Sequence, residues 1–187
     1  VGDSSRLAMS RFSRHARSFT RLPDFFLEPE AYMEALTAAL NRTGARVMLP
    51  CFEDVELVIR YRDALPAGTQ VAVPALKHWA VAEDKLDYIE QLGQAGCPVP
   101  ETWRVKSRAH LAELSERLRF PLVVKVRMGN GARGVAIVER AEELEDAFWS
   151  IVQAYDLKQE RWPILQKTLQ GRKYKLDGVF DRGKCVG

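Results

Sequence analysis

The chain has 187 residues, of which 47% are hydrophobic and 28% are charged, and its formal net charge is +3. This composition is that of an ordinary globular protein, and it excludes intrinsic disorder, a collagen-like repeat and a heptad coiled coil. No apolar run approaches the ~18 residues that a membrane span needs, and the N-terminus lacks the apolar region and cleavage site of a signal peptide. We therefore expect a cytoplasmic protein that does not enter a membrane.

Cysteine and histidine give no indication of a metal site. The three cysteines, Cys51, Cys97 and Cys185, are widely spaced, which fits neither a disulfide framework nor a C-x-x-C metal knuckle. Reduced thiols are the plain expectation. The three histidines have no carboxylate or cysteine at ligand spacing, so no zinc site is expected.

Positive charge is concentrated at the N-terminus, where no acidic residue occurs between Asp3 and Asp24. The arginines of this stretch are Arg6, Arg11, Arg14, Arg17 and Arg21. Nucleic-acid binding would explain them, but the stretch has no recognisable reading helix. A solvated connector, or a loop that meets an anionic substrate, explains them as well, and we expect no nucleic-acid partner.

The N-terminal part of the chain alternates strand and helix patterns with short connections. A helix is predicted over residues 28–44, because Pro29 suits the first helical position and Gly44 the position after the last turn. Strands are predicted at residues 46–50 and 70–74, on either side of a second helix. That helix carries its apolar residues at helical spacing: Phe52, Val55, Val58 and Ile59. The alternation predicts parallel strands with crossover helices, as in a Rossmann-like layer.

The opening VGDSS reads as the end of a strand running into a loop. No complete strand and helix unit precedes it, and the chain does not begin with Met. We therefore expect that an N-terminal part of the native protein precedes this sequence.

A domain boundary is predicted near Ala82. The helical pattern over residues 75–95 is interrupted near Glu83, and residues 93–103 have the glycine and proline content of a linker. The expected domains are residues 1–82 and residues 83–187.

The second domain is expected to mix helices and strands. A strand at residues 102–105 precedes a helix over residues 107–118 that Ser107 caps. A later amphipathic helix turns one apolar face inward, composed of Leu144, Ala147, Phe148, Ile151, Val152 and Tyr155. The segments at residues 163–169 and 174–187 are predicted to close the chain as strands.

Three glycines, Gly129, Gly131 and Gly134, follow the spacing G-x-G-x-x-G, and we call residues 129–134 the glycine loop. The apolar, β-branched segments on both sides predict an antiparallel hairpin. A dinucleotide fingerprint needs a helix after the loop, a Walker A loop needs Gly-Lys-Ser/Thr, and a protein kinase needs a lysine on the later strand, so all three are excluded. A glycine hairpin can instead fold over phosphates, because glycine has no Cβ to keep anions from the backbone amides.

Lys125 lies on the strand that enters the glycine loop. Strand alternation places Val123, Lys125 and Arg127 on one face, and the apolar residues between them on the other. A lysine inside an apolar strand is costly to bury unless an anion compensates, which makes Lys125 a candidate phosphate ligand. The alternative is a partly exposed lysine paired with an acid.

These segments, in this order, resemble the ATP-grasp superfamily. The resemblance covers nearly the whole chain: the Rossmann-like part, then EDKLDYIEQLGQAGCPVPETW, FPLVVKVRMGNGARGV and ILQKTLQGRKYKLDGVFDRGK. It implies an α/β fold with a Rossmann-like pre-ATP-grasp domain, an α+β ATP-grasp N-terminal lobe and the start of the second lobe. It also implies that two lysines, Lys85 and Lys125, hold the phosphates of ATP together with Gly129, Asn130, Gly131 and Gly134. We call Lys85 and Lys125 the lysine pair.

The segment LQKTL resembles the strand that holds adenine in this family, and we call residues 166–169 the hinge. By resemblance, Lys167 and Leu169 offer backbone groups to the adenine edge, with Thr168 between them. Gln166 stands where the family usually has glutamate, and its side-chain oxygen can still accept a hydrogen bond from the adenine amino group. Lys173 replaces the acid that would contact ribose, and a lysine cannot accept a hydrogen bond from a hydroxyl.

The resemblance implies the ATP-binding portion of a ligase that joins a small-molecule carboxylate to an amine or a thiol through an acyl phosphate. The family's Mg²⁺ ligands lie downstream of anything present here, so we expect the metal site outside this chain. One alternative is a non-catalytic nucleotide-binding or regulatory module, which Lys173 and the missing metal ligands would explain. Another is a structural or nucleic-acid-binding protein that uses the N-terminal arginines.

Overall fold

The computed structural model describes residues 1–51, 53–181 and 183–186. The chain divides into two units, Val1–Ala82 and Glu83–Gly187. Phe52, Arg182 and Gly187, which fall within the predicted second helix and the predicted closing strands, lie outside the described residues.

The first unit combines short parallel strands with helices. Its described strands are β1 (Gly2–Asp3), β2 (Thr20–Arg21), β3 (Val47–Met48) and β4 (Gln70–Val71). Its helices are α1 (Pro29–Thr43), α2 (Val55–Arg60) and α3 (Leu76–Glu83), which runs to the boundary between the units.

Helix α1 begins and ends where the sequence predicts. Pro29 occupies its first turn, and Gly44 adopts a left-handed conformation with φ of 59° just past its last residue. Only glycine enters this conformation without a steric penalty, so the helix stops there. One face of α1 packs into the hydrophobic cluster of the first unit through Tyr32, Met33, Leu36 and Leu40.

The sheets of the first unit are smaller than the Rossmann-like layer that was predicted. β3 pairs in parallel with β4, and α2 forms the crossover between them, as the alternating pattern predicts. β1 pairs in parallel with β2, which agrees with a strand at the start of the chain. The described strands form two separate two-stranded sheets instead of one continuous layer.

The second unit is built on a four-stranded antiparallel sheet. Its strands are β5 (Thr102–Arg104), β6 (Leu122–Lys125), β7 (Val135–Val138) and β8 (Ile164–Lys167), in the spatial order β5, β8, β6, β7. Its helices are α4 (Lys85–Gln94), α5 (Arg108–Arg117) and α6 (Leu144–Ala154). The predicted cap of α5 is present, because Ser107 Oγ accepts a hydrogen bond from the His110 N–H at 3.1 Å.

Helices α5 and α6 cover one face of this sheet. Leu144, Phe148 and Ile151 of α6 are buried in one cluster with Val124 and Leu165. Tyr155, which was predicted on the buried face, is instead 44% exposed. It follows the last residue of α6, Ala154, so helical spacing no longer determines where its side chain points.

The end of the chain contains less strand than predicted. A short antiparallel hairpin forms from β9 (Phe180–Asp181) and β10 (Lys184–Cys185). Residues 174–179 have no regular secondary structure, although they were predicted to be part of a strand. Leu176 and Val179 in this segment are exposed, so no apolar contact holds the segment in a sheet. Elsewhere, none of the helices in the described ranges is both long and apolar enough to cross a bilayer.

Candidate functional site

The glycine loop joins two antiparallel strands, as the sequence predicts. β6 pairs with β7 so that Lys125 lies opposite Val135, at the mouth of the loop. The Val126 N–H donates to Gly134 O at 2.9 Å and continues this pairing to the last glycine. A helix after the loop, which a dinucleotide-binding fold would require, is therefore absent here.

The backbone of the loop requires glycine at specific positions. Gly129, Gly131 and Gly134 all have positive φ, at 108°, 65° and 64°. At Gly134 a Cβ would also lie 2.6 Å from Cγ1 of Val126, a distance that real side chains do not reach. Gly134 thus combines a left-handed backbone with close packing against the strand that carries the lysine.

Lys125 projects from the face of the sheet opposite the core. Its apolar neighbours Leu122, Val124 and Val126 are buried on the other face, which confirms the predicted alternation. The Lys125 ammonium donates to Gln166 Oε1 at 2.7 Å. Its partner is therefore a neutral amide and not a carboxylate, which argues against the alternative that Lys125 is a surface lysine paired with an acid.

Gln166 is held in place by a second hydrogen bond. Its Nε2 donates to Thr102 Oγ1 at 2.9 Å, and Thr102 lies opposite Gln166 in the pairing of β5 with β8. The side chain is buried, so both ends of the amide have partners where water cannot supply them. This arrangement fixes which end of the amide faces Lys125.

Lys85 approaches the glycine loop from the start of α4. Asp84 caps this helix by accepting from the Leu86 N–H at 3.0 Å, which places Lys85 at the first helical position. The Lys85 N–H donates to Arg127 O at 3.0 Å. The Lys85 ammonium donates to Gly129 O at 2.6 Å and to Arg127 O at 3.3 Å.

The pKa values of both lysines in the pair are lowered. Burial lowers the pKa of Lys85, an effect that the negative charges of Glu83 and Asp84 oppose. Burial also lowers the pKa of Lys125, and the positive charge of Lys85 lowers it further. Two half-buried ammonium groups that repel each other create a site in which an anion is favoured.

Two of the hinge residues after Gln166 contact residues that directly precede β5 and β6. The Lys167 ammonium forms an ion pair with Glu101 at 2.6 Å, and its N–H donates to Glu101 O at 2.9 Å. Thr168 Oγ1 donates to Pro121 O at 2.6 Å. Leu169 is 69% exposed.

Asn130 and Lys173, the two other predicted site residues, differ in the contacts that their side chains make. Asn130 Oδ1 accepts from Arg133 at 3.4 Å, which is a weak contact inside the glycine loop. Lys173 is exposed, and within the described ranges no hydrogen bond connects it to the lysine pair. The structure thus brings together Lys85, Lys125, the glycine loop and Gln166, and it leaves Lys173 outside that group.

Several residues of the site were not predicted from the sequence. Arg127 forms an ion pair with Asp84 at 2.8 Å, and Thr102 orients the Gln166 amide. A signal for Asp84 was present, because an aspartate directly before a helical pattern is a typical N-cap. No pattern pointed to Thr102, since its partner lies 64 residues away.

Carboxylates suited to a metal ion do not gather around the lysine pair. In residues 1–51, 53–181 and 183–186, no group of three or more His, Cys, Asp or Glu side chains is arranged to hold a metal. Asp84 and Asp87, which lie one and two residues from Lys85 in the sequence, both bind Arg127.

A protein-family model matches the segment of the chain that contains this site. Residues 84–170 match the family described as the ATP-binding domain of the carbamoyl-phosphate synthase large chain. This match includes the lysine pair, the glycine loop and the hinge. Residues 84–170 belong to the ATP-grasp superfamily. The predicted resemblance is thereby confirmed.

Related sequences agree with the ATP-grasp assignment. The carbamoyl phosphate synthase large chain of Rubrobacter xylanophilus is 27% identical over 115 residues, which are 61% of this chain and 11% of that protein. The pyruvate carboxylase of Staphylococcus aureus is 36% identical over 83 residues, or 43% of this chain and 7% of that protein. The chain therefore spans about a tenth of the length of these relatives.

Solved structures show the same mixed α/β fold. The biotin carboxylase of Campylobacter jejuni, solved as a complex with β-γ-ATP, superposes with a TM-score of 0.66 at 19% identity, covering 91% of this chain and 39% of that one. The N5-carboxyaminoimidazole ribonucleotide synthetase of Thermus thermophilus superposes with a TM-score of 0.61 at 23% identity, covering 90% of this chain and 40% of that one. An ATP-grasp-like fold is thus shared beyond the segment that the family model matches.

Proposed function

We propose that residues 83–187 bind ATP, with the triphosphate at the lysine pair and the glycine loop and adenine at the hinge. The observation that carries this proposal is that the Lys85 ammonium bonds to Gly129 O of the glycine loop, while Lys125 lies at the mouth of the same loop. Neither lysine forms an ion pair with a carboxylate in the described part of the chain, so both charges are available to an anion. Backbone N–H groups of glycines without Cβ atoms supply further donors.

The proposed parts of the site have distinct tasks. The lysine pair neutralises phosphate charge and fixes its position. Asn130 and the three glycines form the flap over the phosphates. Gln166, Lys167, Thr168 and Leu169 hold the adenine edge, and Gln166 Oε1 has a second lone pair for its amino group while Lys125 occupies the first. Lys173 would stand near ribose.

The whole protein is proposed to be an ATP-dependent ligase of the carboxylate–amine (or thiol) type. A small-molecule carboxylate would attack the γ-phosphate, the bond from that phosphorus to the β,γ-bridging oxygen would break, and ADP would leave. An amine would then displace phosphate from the acyl phosphate. The residues of this chain contribute position and charge neutralisation, which are the main catalytic terms in phosphoryl transfer.

Magnesium is proposed to join the site through carboxylates outside the described residues. A bound Mg²⁺ would supply positive charge against the negative charge that develops on the phosphates during transfer. Asp84 and Asp87 are poor candidates as ligands, because their oxygens already bind the Arg127 guanidinium.

The domain organisation is proposed to follow the family. Residues 1–82 would form a Rossmann-like pre-ATP-grasp domain, of which β3, α2 and β4 supply one parallel crossover. Residues 83–187 would form the nucleotide-binding lobe, the hinge and the start of the second lobe. A cytoplasmic enzyme with small-molecule partners is the setting that this function implies.

As the solution becomes alkaline, the affinity for ATP is expected to fall at a lower pH than it would if Lys125 had the pKa of an ordinary lysine. Lys125 binds a polyphosphate only when it is protonated, and burial together with Lys85 lowers its pKa. Affinity should therefore be complete below this lowered pKa and be lost as the pH rises through it. Calorimetric titrations with ATP between about pH 7 and pH 10 measure the effect. A Lys125→Met variant should show a shallower alkaline decline, and identical profiles for the two proteins would contradict the assignment of Lys125.

Trapping the intermediate tests the ligase activity. The full-length protein is incubated with ATP, Mg²⁺, hydroxylamine and a panel of amino and hydroxy acids. A carboxylate that is converted to an acyl phosphate releases one ADP. Hydroxylamine then attacks the acyl carbon, displaces phosphate and yields a hydroxamate. Tight ATP binding without hydroxamate for any acid of the panel would contradict the ligase and would favour the non-catalytic module.

A further inference from the structure

Arg127 is a further cation beside the glycine loop, and its contacts differ from those of the lysine pair. Its side chain is 11% exposed, and it lies two residues beyond Lys125, just past the end of β6. Its Nε donates to Asp84 Oδ1 at 3.0 Å, and its Nη2 lies 2.8 Å from Asp84 Oδ2 in an ion pair. Nη2 donates to Asp87 Oδ1 at 3.1 Å, and Nη1 donates to Glu160 O at 2.9 Å. All three nitrogens of the guanidinium thus have acceptors within the second unit.

These contacts exclude Arg127 from the set of phosphate ligands. The two carboxylates outweigh its single positive charge, and the bidentate geometry with Asp84 is the strongest that an arginine and a carboxylate form. A phosphate would have to displace both. The guanidinium therefore holds protein groups together and is not available to an incoming anion.

The groups that it holds are those that place Lys85. Asp84 accepts from Arg127 and also caps α4 through the Leu86 N–H, so one carboxylate connects the strand end to the start of the helix. The main chain repeats the connection, because Arg127 O accepts both from the Lys85 N–H at 3.0 Å and from the Lys85 ammonium at 3.3 Å. Side chain and backbone of Arg127 thus fix residues 84 and 85 from two directions.

We propose that Arg127 is a positioning residue for nucleotide binding: through Asp84 it holds the Lys85 ammonium at the glycine loop. The inference rests on the proposed phosphate-binding role of Lys85. Without the guanidinium, Asp84 loses its bidentate partner, and the first turn of α4 is no longer fixed to the end of β6. Lys85 then spends less time beside Gly129, and the triphosphate loses one of its two cations.

The test compares Arg127→Met in two backgrounds of the full chain. In the wild-type background we expect a loss of ATP affinity of about tenfold, the size typical of coupling between residues in direct contact. In a Lys85→Met background the same substitution should change the affinity by less than about twofold, because the lysine that Arg127 places is absent. Competition against a fluorescent ATP analogue measures both, and adenosine is measured in parallel.

Two variants control for charge and folding. Arg117→Met removes an arginine that forms an exposed ion pair with Glu113 on α5, and it should leave ATP affinity unchanged. Arg127→Lys keeps the charge but not the planar fork, so it should bind ATP with an affinity between those of wild type and Arg127→Met. If Arg127→Met does not fold, Arg127→Lys in the two Lys85 backgrounds provides the same comparison.

The outcomes separate this inference from the proposed function. A loss that is confined to ATP, spares adenosine and vanishes with Lys85 supports the positioning role. An equal loss in both backgrounds, or unchanged ATP affinity in Arg127→Met, overturns it while leaving ATP binding in place. A wild-type chain that binds no ATP overturns the proposed function and this inference together.

Discussion

Replacing Lys125 with methionine is expected to weaken ATP binding by about 30- to 100-fold, on the order of 2–3 kcal/mol. The Lys125 ammonium is half-buried and bonds to the neutral amide of Gln166, so its charge is not already neutralised by a carboxylate. Methionine keeps the apolar stem beside the sheet and removes only the charge and the donors. Isothermal titration of the full chain with ATP gives the two affinities.

Lys158 supplies the matched control for this substitution. It is an exposed lysine of the same unit, and it lies outside the glycine loop and the hinge. Lys158→Met should therefore bind ATP as the wild type does, although it loses the same formal charge. Equal losses for the two variants would indicate a general electrostatic effect, and an unchanged affinity in Lys125→Met would remove this lysine from the site.

Gly134→Ala should lower the free energy of unfolding of the second unit by about 2–4 kcal/mol. The left-handed backbone contributes roughly 1–2 kcal/mol of this loss, because an alanine Cβ clashes with the following carbonyl oxygen. The rest comes from the contact of 2.6 Å with Val126, a buried β-branched side chain that cannot rotate away easily. Urea denaturation followed by tryptophan fluorescence measures the change.

Gly131→Ala separates the two contributions. Gly131 has nearly the same φ, 65° against 64°, but a Cβ there would meet no atom within 4 Å. It should lose only the backbone part, roughly 1–2 kcal/mol. If Gly131→Ala and Gly134→Ala proved equally stable, the close packing of the loop against Val126 would be contradicted.

The parts of the fold that depend on local chemistry could be predicted from the sequence. Pro29 and Gly44 fix the two ends of α1, and Ser107 caps α5, because each acts through its own backbone or through a neighbour three residues away. The hairpin of β6 and β7 followed from two β-branched segments with glycines between them. Lys125 was identified because strand alternation separates it from three buried apolar residues.

The parts that depend on distant partners could not be predicted. Arg127 was predicted on the face of Lys125, but its partner Asp84 lies 43 residues earlier, and an ordinary surface arginine has the same local sequence signal. Gln166 was interpreted from its position in the hinge, and its contact with Lys125 spans 41 residues. Only the pairing of β6 with β8 brings these side chains together.

The lengths of the strands in the first unit also could not be predicted from the sequence. The alternating pattern predicted parallel strands, and the parallel pairing of β3 with β4 was found. The number of residues that pair, two in each strand, depends on which neighbours cover the strands. Val47 is 56% exposed, so an apolar residue at this position does not by itself extend the sheet.

A crystal structure of the chain with Mg²⁺ and a non-hydrolysable ATP analogue tests most directly whether the lysine pair and the glycine loop hold the triphosphate. Phosphate oxygens are expected within hydrogen-bonding distance, about 2.7–3.2 Å, of the ammonium groups of Lys85 and Lys125 and of N–H groups in the glycine loop. Adenine is expected against the hinge at Gln166. A nucleotide bound elsewhere, or one whose phosphates point away from both lysines, would contradict this assignment.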